Sequence, residues 1–360
     1  MVVHGNRSPD HDSDTYTLEY SAVNAMKQRP VRPSFGERLS IAVIVALIYA
    51  LLLYGLFWSS SGAEDNKAMR FIGGLVLMPM AIASLATSIH DPRGESTRWR
   101  QVKLGWLVVG IGLVLTVIFF KESIICVVMG LPLFISGSSL GSLLTLAIIR
   151  KFRSPRRATL VILLPFIGLP IEPHLIYPDH NAEVTTVIEI AAPVDIVWRN
   201  TVEIRNIDPS ELQFTFSHGV LGVPQPQDAV LTGAGIDAVR HLKWSKNIRF
   251  EEVITGWETN RFLSWDFRFS PDSIPAAIEG HINVDSQYLK LTNGDYHLKP
   301  LANGNTQLTL TSRYRIRTPI NVYCDWWGSI FFKDFHSVVL NVIKNRSETA
   351  QRASSHLVAG

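Results

Sequence analysis

A chain of 360 residues is longer than one ordinary hydrophobic core organises, so two modules are expected. Hydrophobic residues make up 47% and charged ones 18%, and the apolar residues crowd into the first half instead of recurring evenly, which argues against a plain soluble enzyme. A formal net charge of +3 argues against a nucleic-acid partner, and two cysteines in different halves, Cys126 and Cys324, define no disulfide framework.

Residues 1–38 are polar, show no apolar period and lack the features of a secretory signal, so a disordered tail is expected there. Leu39–Trp58 is apolar or small throughout, about the 20 residues a helix needs to cross a bilayer core. Phe71–Ile89, Leu104–Phe120 and Ser123–Ile149 follow, with no charged side chain inside. Four spanning helices are read at 39–58, 71–89, 104–120 and 123–149. Ala158–Ile171 is shorter and interrupted by Pro165 and Pro170; it reads as a re-entrant segment or a fifth crossing, and the flanking charges favour the crossing. Basic residues precede the first helix (Lys27, Arg29, Arg32, Arg38), separate the second from the third (Arg93, Arg98, Arg100, Lys103) and follow the fourth (Arg150, Lys151, Arg153, Arg156, Arg157). By the positive-inside rule these lie in the cytoplasm with the N-terminus, which puts the chain after Glu172 on the extracytoplasmic or periplasmic side. No ionisable residue interrupts the helices, so they read as a membrane anchor over 39–177 rather than an ion path. Gly137 and Gly141, with Ser138 and Ser142 at the same spacing, offer a close seam to a helix-packing partner.

After Pro178 the pattern changes. Val184–Ile190 alternates like a strand, and Pro193 opens a helix with Val194, Val197, Trp198 and Val202 on one face. A Pro/Gly-rich stretch through Gly222–Pro226 leads to strand-like runs at Gly235–Trp244, Asn247–Thr255, Arg261–Phe269, Tyr288–Thr292, Tyr296–Leu301 and Gln307–Arg317. Ser245-Lys246, Asn293-Gly294 and Asn303-Gly304 separate them as turns. A last helix capped at Thr318 carries an apolar stripe from Val322 to Ile343. Residues 349–360 read as a tail. This order predicts an α+β domain at 178–348, a curved antiparallel sheet gripping the C-terminal helix, behind an all-α transmembrane bundle.

Three motifs carry a family resemblance. Val184–Arg199 contains TTVIEIAAPVDIVWR, in which a strand ending in APxxxVW feeds a helix; Gly233–Phe267 reads GAGIDAVRHLKWSKNIRFEEVITGWETNRFLSWDF; Gly294–Arg315 reads GDYHLKPLANGNTQLTLTSRYR. Together with the aromatic last helix, over about residues 180–348, they resemble the START-like group, also called SRPBCC or polyketide cyclase/dehydrase-like. The resemblance implies a helix-grip fold with a hydrophobic cavity. It implies no particular reaction, since the group spans lipid carriers, hormone receptors and cyclases.

Strand parity sorts the candidate site residues. Arg240 and Glu252 each interrupt an apolar face on neighbouring strands, either as an anchor for a ligand's polar end or as a structural ion pair. Trp265 and Phe267 share a face, Tyr296 sits where a phenol can meet a ligand carbonyl, and Tyr323, Trp327 and Phe331 form the roof from the last helix. His336 falls off that stripe and is read as exposed, and Arg313, Arg315 and Arg317 form a solvated ridge. His180, His218, His281 and His297 have no metal-ligand spacing, and no phosphate loop, GxSxG elbow or dinucleotide fingerprint occurs, so neither metal nor cofactor is expected. Three functions stay open. The first is a membrane-anchored module binding a lipid or other hydrophobic small molecule without catalysis. The second is a cyclase- or hydratase-type enzyme using Glu252 or Tyr296 for proton transfer. The third is an interaction module for another membrane protein.

Overall fold

The computed structural model describes Met1 and residues 34–59, 71–120, 123–275 and 284–359. Most of the N-terminal segment therefore lies outside the described residues. The first helix, α1, is Phe35–Ser59, starting four residues before its apolar run. Ser34 and Glu37 explain the early start: the Glu37 N–H donates to Ser34 Oγ at 3.3 Å and the Ser34 N–H to Glu37 Oε2 at 2.6 Å, a capping box. Next come α2 (Gly73–His90, opening with a wider π turn), α3 (Arg98–Phe120) and α4 (Ile124–Phe152). These four helices are long and apolar enough to cross a membrane.

Thr159–Ile171 forms α5, whose 13 residues rise only about 20 Å. It is extended by short 3-10 turns at Pro155–Ala158 and Glu172–His174 and runs back along α2. Gly168 lies against Leu77, and the Glu172 carboxylate accepts from the Ile72 and Gly73 N–H groups at 2.7 and 2.8 Å, occupying free donors at the start of α2. The Gly137–Gly141 seam is taken up inside the chain. A Cβ on Gly141 would run into the Met80 carbonyl of α2, and one on Gly137 would lie 2.9 Å from the Val76 oxygen. At the opposite end, Arg150 donates to the Gly94 and Ser96 carbonyls at 2.9 and 2.7 Å, clasping two of the basic segments together.

The second half is a seven-stranded sheet in the order β1-β7-β6-β5-β4-β3-β2, antiparallel at every pairing. The strands are β1 His180–Ile190, β2 Pro226–Thr232, β3 Val239–Trp244, β4 Ile248–Glu258, β5 Phe262–Arg268, β6 Leu289–Pro300 and β7 Thr306–Ile316. Between β1 and β2 lies α6, Val194–Val202; the chain closes with α7, Asn321–Ala359. Sheet and helix grip one core, in which Val339, Leu340, Val342 and Ile343 of α7 meet Ile190, Leu298, Leu308 and Leu310.

Several boundaries differ from the sequence reading. Tyr288–Thr292 and Tyr296–Leu301 are one strand, with a register shift between Leu291 and Asn293 where a turn was expected. Gly294 pairs with Trp265, and a Cβ there would lie 2.6 Å from the indole, so the glycine makes room for a tryptophan rather than for a turn. The front of the expected Gly235–Trp244 strand is instead a loop, with Gly235 and Asp237 at φ 83° and 66°. β2 arises within what read as a connecting stretch. Thr318 sits just ahead of α7, where its hydroxyl accepts from the Ile320 N–H at 3.2 Å and Asn321 Oδ1 accepts from the Thr318 N–H at 2.6 Å. The helix then continues to Ala359, beyond both the apolar stripe and the boundary expected at 348.

Candidate functional site

Arg240 of β3 and Glu252 of β4 are directly opposed in the antiparallel register, so one sheet face brings both inward. They are 3% and 4% exposed. Arg240 Nε donates to Glu252 Oε2 at 2.5 Å, a second guanidinium nitrogen contacts the same oxygen, and the third reaches the Thr201 carbonyl near the end of α6 at 3.0 Å. The guanidinium also lies over the Trp265 ring at 4.6 Å and the Tyr296 ring at 5.8 Å, whose centroids are 5.1 Å apart. Register explains the grouping. Trp265 stands between Ile254 and Gly294, and Tyr296 between Leu263 and Leu310, all on the core face.

Three polar atoms here hold no hydrogen bond among the described residues, the buried Trp265 indole Nε1 being one. Both Arg240 contacts fall on Oε2, leaving Glu252 Oε1 without a donor, and the Tyr296 hydroxyl holds no hydrogen bond. Burial raises the Glu252 carboxyl above its ordinary value, with the Arg240 charge opposing that rise; burial likewise raises the Tyr296 phenol. The phenol is thus a neutral donor, and the carboxyl is one that holds a proton more readily than usual.

Half-buried aromatic rings extend from this group toward α7. Trp265 meets Phe267 at 6.3 Å, Phe267 meets Phe250 at 6.2 Å, Phe250 meets Trp244 at 5.7 Å, and Trp244 stacks on Phe335 at 4.9 Å. Arg240, Glu252, Trp265, Phe267 and Tyr296 thus share one neighbourhood. Trp327 and Phe331 stack on each other at 5.7 Å, about two turns and one turn before Phe335 on α7. Tyr323 leaves the group: its hydroxyl donates to the Met129 carbonyl of α4, so it joins the domain to the bundle.

Sequence reasoning misplaced His336, which is fully buried. Its Nδ1 is 3.0 Å from Thr186 Oγ1 and its Nε2 2.9 Å from Ser312 Oγ, and desolvation pushes its pKa down to about 4. A wrapping sheet buries more of a helix than one stripe; the inward parity of Ser312 with Leu310 and Tyr314 was the signal available. The arginine ridge is paired rather than simply solvated. Arg313 meets Asp295 at 2.5 Å and Glu183 at 3.2 Å, while Arg315 and Arg317 meet Asp179 at 3.8 and 2.6 Å. Among the described residues, no group of three or more His, Cys, Asp or Glu side chains is placed to hold a metal ion.

No protein-family model and no curated protein matches the chain. Solved structures similar to it include the Zhui aromatase/cyclase from Streptomyces sp. R1128, at 12% identity and a TM-score of 0.32, covering 48% of this chain and 98% of that one. A truncated norcoclaurine synthase from Thalictrum flavum is similar at 8% identity and 0.29, covering 46% and 92%. XoxI from Bacillus cereus is similar at 17% identity and 0.29, covering 46% and 94%.

Proposed function

We propose that the chain is a membrane-tethered binding module. Its helix-grip domain holds a lipid or other hydrophobic small molecule between sheet and last helix, with the molecule's polar end at Arg240, Glu252 and Tyr296. The observation that carries this reading is a group of polar atoms without hydrogen bonds among the described residues, the buried Trp265 indole N–H beside Glu252 Oε1 and the Tyr296 hydroxyl, at the end of a run of half-buried aromatic rings. An acceptor or latent donor beside a phenol, within an apolar lining, suits a ligand with one hydroxyl, carbonyl or carboxyl group on a hydrophobic body. The full chain, purified in detergent, should release a small molecule detectable by native mass spectrometry. Trp265→Ala should weaken its retention about ten-fold, the size of one lost aromatic contact. A preparation that never carries such a molecule, and takes up none from a lipid extract, would refute the proposal.

The proposed side of the domain is extracytoplasmic. In support, the segment from Pro155 to Glu172 retraces α2 and ends on the N–H groups at its start, away from the end where Arg150 clasps Gly94 and Ser96.

A second reading, an acid–base enzyme, draws on the raised carboxyl of Glu252 beside Tyr296. Glu252→Gln separates the two readings. A binding module keeps its ligand, whereas an enzyme keeps binding and loses turnover.

A further inference from the structure

On the reading that the domain binds a hydrophobic molecule, we infer where that molecule comes from: the first turns of α7 lie in the bilayer's interfacial layer and admit a membrane lipid directly from the leaflet. Tyr323 ties these turns to the bundle. Its hydroxyl reaches the backbone of Met129, five residues past the start of α4 and so about 8 Å along that helix. A second contact joins the modules at the same end of the bundle, where Phe71 and Tyr288 approach to 5.7 Å. The opening turns of α7 are therefore level with the end of an apolar helix.

Those turns expose apolar side chains. Val322 is 80% exposed and Trp326 56%, and Ile176 in the connector after α5 is 95% exposed. Such groups are costly in water but suited to the boundary of a bilayer, where tryptophan and tyrosine concentrate. The charged residue of these turns, Asp325, is engaged with partners: it accepts from the Tyr314 hydroxyl at 2.8 Å and faces His180 at 3.0 Å. Continuity with the contacts that already join domain and bundle, and the absence of an unpaired charge in these turns among the described residues, favour lipid as the occupant of this surface.

From Trp326 an aromatic track leads inward. Trp326 meets Trp327 at 5.0 Å, Trp327 stacks on Phe331 at 5.7 Å, and Phe335 follows one turn later, stacked on Trp244 at 4.9 Å. This stretch of α7, Trp326 to Phe335, rises about 14 Å. Trp244, Phe250 and Phe267 carry the track to Trp265, under Arg240. This run of rings offers an apolar surface from the outer turns of α7 to Arg240 and Tyr296.

The test uses the full chain in phosphatidylcholine vesicles and has two arms. In the first, the phosphatidylcholine is brominated on its acyl chains near the carbonyl. Trp326→Phe should then remove a clear share of the tryptophan quenching; unchanged quenching would place Trp326 outside the lipid and overturn the inference. In the second, a pyrene-labelled fatty acid is the probe. Val322→Ser with Ile176→Ser should slow its transfer from vesicles into the protein at least ten-fold, with binding in detergent unchanged. Equal transfer rates would overturn the entry route while leaving the binding reading intact. Failure of the unmodified chain to bind the probe from either source would instead count against the binding reading itself, and this inference would fall with it.

Discussion

Replacing either member of the Arg240–Glu252 pair has a cost that follows from burial. The two side chains retain 4% and 5% of their accessible surface, so neither charge recovers its hydration when its partner is removed. Glu252→Leu leaves the guanidinium with the Thr201 carbonyl and two aromatic faces, at a cost of about 3–5 kcal/mol, because arginine cannot shed its proton. Arg240→Leu leaves a carboxyl that can neutralise itself, and this makes the cost pH-dependent. In the folded chain the Glu252 carboxyl is already raised by burial, and loss of Arg240 removes the influence that lowers it. The folded state then binds the proton more tightly than the unfolded state. Stability in Arg240→Leu is therefore greatest below the ordinary carboxyl value of 4.5 and is lost as pH rises through the elevated folded value. Glu252→Leu lacks that dependence. The double variant should cost at least about 2 kcal/mol less than the sum of the singles, since no charge is stranded. Urea unfolding of the full chain in detergent, followed by tryptophan fluorescence across a pH series, measures all three. Additive single costs, or a flat pH profile for Arg240→Leu, would refute the reasoning.

Four further outcomes are expected. His336 is held neutral with a folded value of about 4 against 6.5, so its stabilisation is complete above 6.5 and is lost as pH falls toward 4, by up to about 3 kcal/mol. His336→Gln should flatten that limb of the stability profile. Gly294→Ala forces a methyl group against Trp265 and should cost about 1–3 kcal/mol in the same unfolding assay, with a changed tryptophan spectrum. Gly141→Val drives a side chain into the Met80 carbonyl and should lower the melting temperature of the bundle in detergent, whereas Gly110→Val, with nothing within 4 Å, should not. Reporter fusions after Pro178 should be active on the extracytoplasmic side and fusions at Arg153 on the cytoplasmic side. Cytoplasmic activity after Pro178 would show that α5 turns back.

Features that depend on short-range repetition are legible in the residues alone. A bilayer core asks for about 20 uninterrupted apolar residues, and that demand is visible in any stretch that meets it, as in Leu39–Trp58. Strand alternation likewise placed Arg240 with Leu242 and Trp244, and Glu252 with Phe250 and Ile254, before any pairing was known. Features that depend on partners distant along the chain emerge only in the assembled fold. His336 is buried because Thr186, 150 residues away, and Ser312 supply its hydrogen bonds; no helical period carries that information. Asn293-Gly294 reads locally as a turn, yet the pairing of β6 with both β5 and β7 holds it extended, with Trp265 occupying the space a side chain would fill. Tyr323 shares the helical spacing of Trp327 and Phe331 but meets Met129 of another module, so its role was set by where the two modules touch. The arginines of β7 read as a free basic face until Asp295, Glu183 and Asp179 arrive from the neighbouring strands and the connector to neutralise them. Local pattern fixes which way a side chain points along its own element, while long-range packing fixes what it meets there.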